Sequence, residues 1–161
     1  MLLSLISALV EKKFPEVKNI STNDLGEKLK SDDKSIVLVD TRKEEEYNVS
    51  FIKGAKFLEF PLTEDALTKF VDTNVPDGTE VIICYCSVGY RSSVVSRKLS
   101  TSLVEKKRED IKIYNLEGSM FKWVNEGRPV TNMNSDTVCY AHPYSYMWGI
   151  LGLNVFKWRW S

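Results

Sequence analysis

Apolar residues recur along this chain with two periods. Residues 35–40 (S-I-V-L-V-D) and 80–85 (E-V-I-I-C-Y) are near-continuous apolar runs rich in β-branched side chains. That is the pattern of strands covered on both faces of a parallel sheet. Residues 111–116 predict a further strand, and residues 55–60 alternate apolar with polar, as a half-exposed strand does. Between these runs the spacing is helical. Leu25 and Leu29 share a face after Ser21, which forms a cap with Asp24 three residues on. Residues 43–47 predict a short helix, and another opens after Pro61 and Thr63. Val94, Val95, Leu99 and Leu103 lie on a fourth helix, and residues 120–126 form a fifth that ends at Gly127. Pro76-Asp77-Gly78 is a turn. Strands alternating with helices predict an α/β domain with a largely parallel sheet.

The two ends differ from this middle. Residues 1–15 predict an amphipathic helix with Leu2, Leu5, Ile6 and Leu9 on one face, and they lack the basic lead of a signal peptide. Residues 131–136 (T-N-M-N-S-D) are expected to be a polar linker. The remainder of the 131–161 extension is dense in aromatic residues but too short between charges to span a bilayer. It is expected to pack back on the domain. Trp158 and Trp160, interleaved with Lys157 and Arg159, also make it a candidate for docking on a membrane surface or a protein.

Composition narrows the classes. At 161 residues, 43% hydrophobic and 27% charged, the chain can bury one core and is not low-complexity. Its formal net charge is zero, which argues against a nucleic-acid partner. Three cysteines and one histidine suit neither a disulfide framework nor a zinc site, so no metal and no cofactor is expected. Unpaired cysteines suggest the cytoplasm or another reducing compartment.

The chemistry concentrates after the strand at 80–85. Cys86 opens a loop that Arg91 closes, with four residues between them, and a helix is expected to begin near Arg91 or Ser92. A thiol at the carboxyl end of a parallel strand lies where such sheets bind ligands. Loop amides and a helix amino terminus favour negative charge there and lower a thiol's pKa. Gly89 permits the tight turn. Arg91 braces the loop or meets an anion, and Ser92 and Ser93 cap the helix or bond the sulfur. Tyr90 shapes the mouth of the pocket.

The stretch Cys86-Ser87-Val88-Gly89-Tyr90-Arg91-Ser92 resembles the active-site loop of single-domain rhodanese-like sulfurtransferases, Cys-x-x-Gly-x-Arg-Ser. Three further stretches agree in order. V-L-V-D-T-R-K-E-E-E-Y resembles the family's strand ending in Asp-x-Arg. S-F-I-K-G-A resembles its Gly-His-Ile-Pro-Gly-Ala, and N-L-E-G-S-M-F-K-W-V-N-E-G-R-P-V resembles its Gly-Gly, Trp, Gly-x-Pro ending. The likeness spans residues 16–130. It implies a rhodanese-like fold, a mainly parallel central sheet with helices on both faces. It also implies that the Cys86 thiolate takes a sulfane sulfur from a small donor such as thiosulfate and passes it to cyanide or a thiol. The loop Ser87, Val88, Gly89, Tyr90, Arg91 and Ser92 would then cradle the persulfide, with Asp40 and Arg42 in support. Phosphatases and arsenate reductases with related loops need one more residue between cysteine and arginine, which weighs against that chemistry.

The chain departs from the pattern at Ser50 and Phe51, in place of Gly-His, and at Ser119, in place of the second glycine. Both are expected to affect packing rather than the nucleophile. Glu46 is spaced to pair with Arg42 four residues earlier. Cys84 and Trp123 are expected in the core. Cys139 would matter only if the extension folds over the pocket and brings it to Cys86. The alternative to an enzyme is a binding or scaffold module docked through the extension.

Overall fold

The apolar runs lie side by side. In the computed structural model, which describes residues 2–31, 33–152 and 159–160, the elements in chain order are α1 (Leu2–Lys13), β1 (Lys18–Ile20), α2 (Thr22–Lys30), β2 (Ile36–Asp40), α3 (Glu44–Val49), β3 (Lys56–Phe57), α4 (Glu64–Asn74), β4 (Val81–Tyr85), α5 (Tyr90–Glu105), β5 (Lys112–Leu116), α6 (Ser119–Asn125), β6 (Val130–Thr131), β7 (Thr137–Val138) and α7 (Tyr146–Gly152). Among the described residues, five strands form one sheet in the order β1-β5-β4-β2-β3, every pair parallel. Asp40 is in register with Tyr85, and Cys84 with Asn115. The carboxyl ends of β2, β4 and β5 therefore open at one edge, where parallel sheets place their ligands.

Alternation along the strands divides the core in two. Leu38, Ile83 and Tyr85 point to one face and pack with Leu25 of α2 and Phe121 of α6. Val37, Val39, Ile82 and Cys84 point to the other and pack with Leu67 and Phe70 of α4 and Val95 and Leu99 of α5. Helices on both faces are what the unbroken apolar runs predict. The strand β1 carries no such run and was not expected. It pairs along one side only, at the sheet edge. The strand expected over residues 55–60 is shortened to Lys56–Phe57 at the opposite edge, because Leu58 to Thr63 form the approach to α4. Ser21 caps α2 as expected, accepting from the Asp24 N–H at 3.1 Å, whereas Leu29 stays at the surface.

The first helix faces another way than its leucines suggest. Its inward positions are Leu3, Ser7 and Val10, continued by Phe14, an i, i+4, i+7, i+11 spacing. Leu2, Leu5 and Leu9 are exposed, the last at 59%, and Ile6 is half-buried. The anchor is at the helix's carboxyl end. Phe14 is buried edge-on against Tyr90, with ring centroids 5.4 Å apart, and this sets the helix rotation.

Residues 131–136 are not a linker. They turn an antiparallel hairpin between β6 and β7, fastened by the Asn132 side chain, which accepts from the N–H groups of Asn134 and Asp136. Phe51 bridges to Thr131, and the Ser50 hydroxyl donates to the Tyr140 carbonyl at 2.6 Å. Ala141 and His142 are buried, and α7 packs on α1. The extension thus folds back on the domain. Trp160 lies edge-on to His142 and Arg159 over the Tyr140 ring, while Lys157 and Trp158 lie outside the described residues. Among the described residues no helix is long and apolar enough to cross a membrane.

Candidate functional site

The strand β4 ends at Tyr85, so Cys86 leaves the strand register and enters the loop. Gly89 takes φ 103°, a left-handed conformation that a side chain would resist, and it caps α5. The helix therefore starts at Tyr90, slightly earlier than its spacing suggests. This turn brings the Gly89 N–H to 3.2 Å from Cys86 Sγ. Cys86 is 1% exposed. Burial works against its thiolate. The Arg91 charge, the Ser92 main chain and the Gly89 N–H together outweigh burial and hold the thiol below its ordinary value. Cys84, two residues earlier, lies in the apolar core, and burial pushes its thiol up to about 12. Both cysteines and the exposed Cys139 are free thiols.

Arg91 is committed to a carboxylate. Its Nη1 and Nη2 donate to Glu46 Oε2 and Oε1 at 2.6 and 2.8 Å, and Nη2 also donates to Ser87 Oγ at 2.8 Å. Ser87 Oγ donates to Glu46 Oε1 at 2.7 Å, and the Lys43 N–H donates to Oε2 at 3.1 Å. Glu46 is fully buried, so α3 and the loop close on one another through this fork. The expected pair of Glu46 with Arg42 does not form. Arg42 turns back to Asp40, with Nη2 2.6 Å from Oδ2 and Nε 2.9 Å from Oδ1, and donates to the Ser50 carbonyl at 2.6 Å. Asp40 sits at the end of β2 beside Tyr85 of β4, and the strand end fixes the short reach to Arg42 more strongly than helical spacing does. Asp40 and Arg42, both fully buried, brace the ends of β2 and α3.

Ser119 also departs from expectation. It takes φ 50°, the backbone a glycine would favour, and its Oγ accepts from the Cys86 N–H at 3.2 Å while donating to the Leu116 carbonyl at 3.1 Å. The substitution reaches the main chain of the cysteine itself. Ser92 Oγ donates to Asn115 Oδ1 at 2.6 Å, and Asn115 Nδ2 donates to Asn19 Oδ1 at 2.8 Å, which ties α5, β5 and β1 together behind the loop. Glu46 and Ser119 were both legible as residues and illegible as partners, because their contacts cross between separate segments of the chain.

Above Cys86 lies a cleft of about 370 Å³. The helix α1 supplies Ile6, Leu9 and Val10 to one wall, and the extension supplies Tyr144 and Trp148 to another. Val88 and Tyr90 belong to the loop, and both line the cleft. Lys13 lies 4.8 Å over the Tyr90 ring, and Arg91 lies 4.7 Å over that of Tyr144. Cys139 does not line the cleft. His142 is buried, with Nδ1 accepting from the Tyr144 N–H at 3.0 Å. Among the described residues no His, Cys, Asp and Glu side chains cluster as metal ligands.

The family model for the rhodanese-like domain matches residues 21–126. Among solved structures, the chain is similar to the As–Sb reductase of Leishmania major, with TM-score 0.64 and 16% identity over 76% of this chain and 92% of that one. It is similar to a thiosulfate sulfurtransferase from Pseudomonas aeruginosa, with TM-score 0.61 and 18% identity over 84% of this chain and 23% of that one. A rhodanese-like domain from Anabaena gives TM-score 0.55 and 17% identity over 71% of this chain and 79% of that one. At these identities the likeness to the solved structures is one of fold.

Proposed function

The chain belongs to the rhodanese-like domain family, and we propose that it is a sulfurtransferase working through a persulfide on Cys86. The observation that carries this reading is the contrast between two neighbouring thiols. Burial pushes Cys84 up, whereas Cys86, equally buried, is drawn down by Arg91, Ser92 and the Gly89 N–H. A structural cysteine has no need of those donors.

The Cys86 thiolate attacks the outer, sulfane sulfur of a donor such as thiosulfate. A sulfur–sulfur bond forms to Cys86, the donor's own sulfur–sulfur bond breaks, and sulfite departs with the electron pair. A thiol or cyanide then attacks the outer sulfur of the persulfide and returns Cys86 to the thiolate. The two half-reactions make covalent, ping-pong catalysis. The Gly89 N–H donates to Cys86 Sγ at the amino terminus of α5, which supports preorganised stabilisation of a negative sulfur there. Arg91 positions the loop and adds its charge, and Asp40 and Arg42 hold the neighbouring strand end.

The test is mass spectrometry of the reduced protein after incubation with thiosulfate, beside Cys86→Ser. Gain of one sulfur atom on the wild type alone, reversed by cyanide or a thiol, is the expected result. No gain with any sulfane donor would remove the enzymatic reading.

A second reading has its own observation. Tyr146, Met147 and Trp160 are exposed on the extension, and Arg159 immediately precedes Trp160, a composition suited to docking on a membrane surface or a protein. Sedimentation with anionic vesicles, compared for the full chain and a variant with Tyr146, Met147 and Trp160 changed to serine, tests it. Equal sedimentation of the two would dismiss membrane docking.

A further inference from the structure

The leucines that α1 turns away from the core form a continuous stripe. Leu3, Ser7 and Val10, continued by Phe14, face inward and fix the helix on the domain. At about 100° per residue, Leu5, Leu9 and Leu2 then share an outward arc of about 60°. Leu5 is 57% and Leu9 59% exposed, and Leu2 is exposed as well. The helix α7 packs on α1 and adds Tyr146 and Met147, 67% and 69% exposed. Leu9 also lines the cleft over Cys86, so the stripe runs along one edge of that opening.

The charges that flank the stripe are of one sign. Lys12 falls about 20° beyond Leu5 on the helix and Lys13 about 20° beyond Leu2, so both flanks of the last turn are basic. Both lysines are exposed. Glu11, the acid of α1, falls at least about 120° from each of the three leucines. It lines a small hollow on the inner side of the helix, with Ser7, Asn19 and Glu117. Glu16, just past the helix, is engaged by Arg97. Residues 137–161 contain no aspartate or glutamate, although they include Lys157 and Arg159. Glu45 of α3 acts on the extension at His142, before α7 begins.

An apolar ridge with cations on both flanks fits an anionic lipid surface. The leucines enter the acyl boundary, the lysine stems run beside them, and the ammonium groups meet the headgroups. A bilayer takes such a ridge without a matching groove. The inner face of α1 already holds the helix folded, so docking does not have to order it. A second copy of the chain would bring the same two lysines and no carboxylate on that face. Resting on the membrane-docking reading of the extension, we infer that the outward face of α1, with Tyr146 and Met147 of α7 beside it, seats the protein on an anionic bilayer surface. The helix lies in the plane of the interface, because its 12 residues are too few to cross the bilayer.

The test is sedimentation of the full chain with phosphatidylcholine vesicles, with and without about 30% phosphatidylserine. Leu2 and Leu5 are exposed and lie outside the cleft, so the double variant Leu2→Ser, Leu5→Ser keeps the fold. It is expected to partition onto the anionic vesicles at least about tenfold less than the wild type. Lys12→Gln is expected to lose about fivefold on the anionic vesicles and nothing on the neutral ones. Equal partitioning of the wild type and the double leucine variant would overturn the inference. If the variant at Tyr146, Met147 and Trp160 then sediments less, the docking reading of the extension stands without α1. No sedimentation of the full chain with either vesicle would overturn the inference and the membrane reading together. Self-association in sedimentation velocity that the double leucine variant abolishes, without vesicle binding, would assign the face to a second copy and overturn the inference as well.

Discussion

Glu46 and Arg91 stand 45 residues apart in sequence and meet through two hydrogen bonds, of 2.6 and 2.8 Å, below the thiol loop. The pair joins α3 to the amino end of α5. It also sets how much positive charge Cys86 experiences, because the carboxylate partly offsets the guanidinium that favours the thiolate. Stability of the loop and reactivity of the sulfur are therefore linked through one carboxylate.

Glu46→Ala leaves the Arg91 guanidinium in a largely buried site without its carboxylate. Loss of one partner of a buried ion pair costs on the order of 3–5 kcal/mol. Urea unfolding is the measurement, and a change under about 1 kcal/mol would mean that solvent already screens the pair.

The same carboxylate gives a pH dependence. Burial alone would raise its pKa, but the Arg91 hydrogen bonds and charge, the Arg42 charge and Ser87 together hold Glu46 below its ordinary value of 4.5. A carboxyl depressed in the folded state contributes stability that is complete above its unfolded pKa and is lost as pH falls through the folded one. Unfolding free energy is expected to decline below about pH 4.5, and to decline less in Glu46→Gln. Equal slopes for the two proteins would assign the acid sensitivity elsewhere.

Alkylation should distinguish the cysteines. Cys86 is expected to react with iodoacetamide with a midpoint below the ordinary thiol value of 9.0, and Cys84, pushed up to about 12, is expected to stay unmodified in the folded protein. Arg91→Met removes the largest favourable influence on the thiolate and should move the Cys86 midpoint upward. A midpoint unmoved by that change would transfer the effect to Ser92 and the Gly89 amide.

Ser119 offers a comparison of two small substitutions. Ser119→Ala deletes the acceptor of the buried Cys86 N–H while keeping a side chain at φ 50°, and should cost about 1–3 kcal/mol. Ser119→Gly deletes the same acceptor but relieves the backbone, recovering about 1 kcal/mol. Thermal or urea unfolding should rank Gly above Ala. The reverse order would show that the hydroxyl matters less than the chain entropy that glycine adds.

Removal of the Ser50 hydroxyl should loosen the extension locally. Ser50→Ala loses the 2.6 Å bond to the Tyr140 carbonyl, and faster hydrogen exchange is expected over residues 140–148 with little change in the central strands. Uniform acceleration across the sheet would show instead that the extension and the sheet unfold as one unit.

Much of this protein is determined by local sequence. The runs at 36–40 and 81–85 are strands because unbroken β-branched stretches satisfy a sheet covered on both faces, and the structure places them as central neighbours. Ser21 caps α2 because its hydroxyl reaches an N–H three residues on. The thiol loop is also local: Cys86, Gly89 and the start of α5 lie within a few residues, so their arrangement follows from one turn. The partners could not be read this way. Glu46 had Arg42 at helical spacing and chose Arg91, because the end of β2 gave Arg42 a nearer carboxylate in Asp40. The leucines of α1 predicted a buried face, yet Phe14 set the rotation by docking on Tyr90 and turned that face toward the cleft and solvent. Ser119 reached Cys86 only because parallel β4 and β5 end together. Periodicity and caps depend on neighbours a few residues away, whereas ion pairs and helix rotation depend on which distant surfaces the sheet brings into contact.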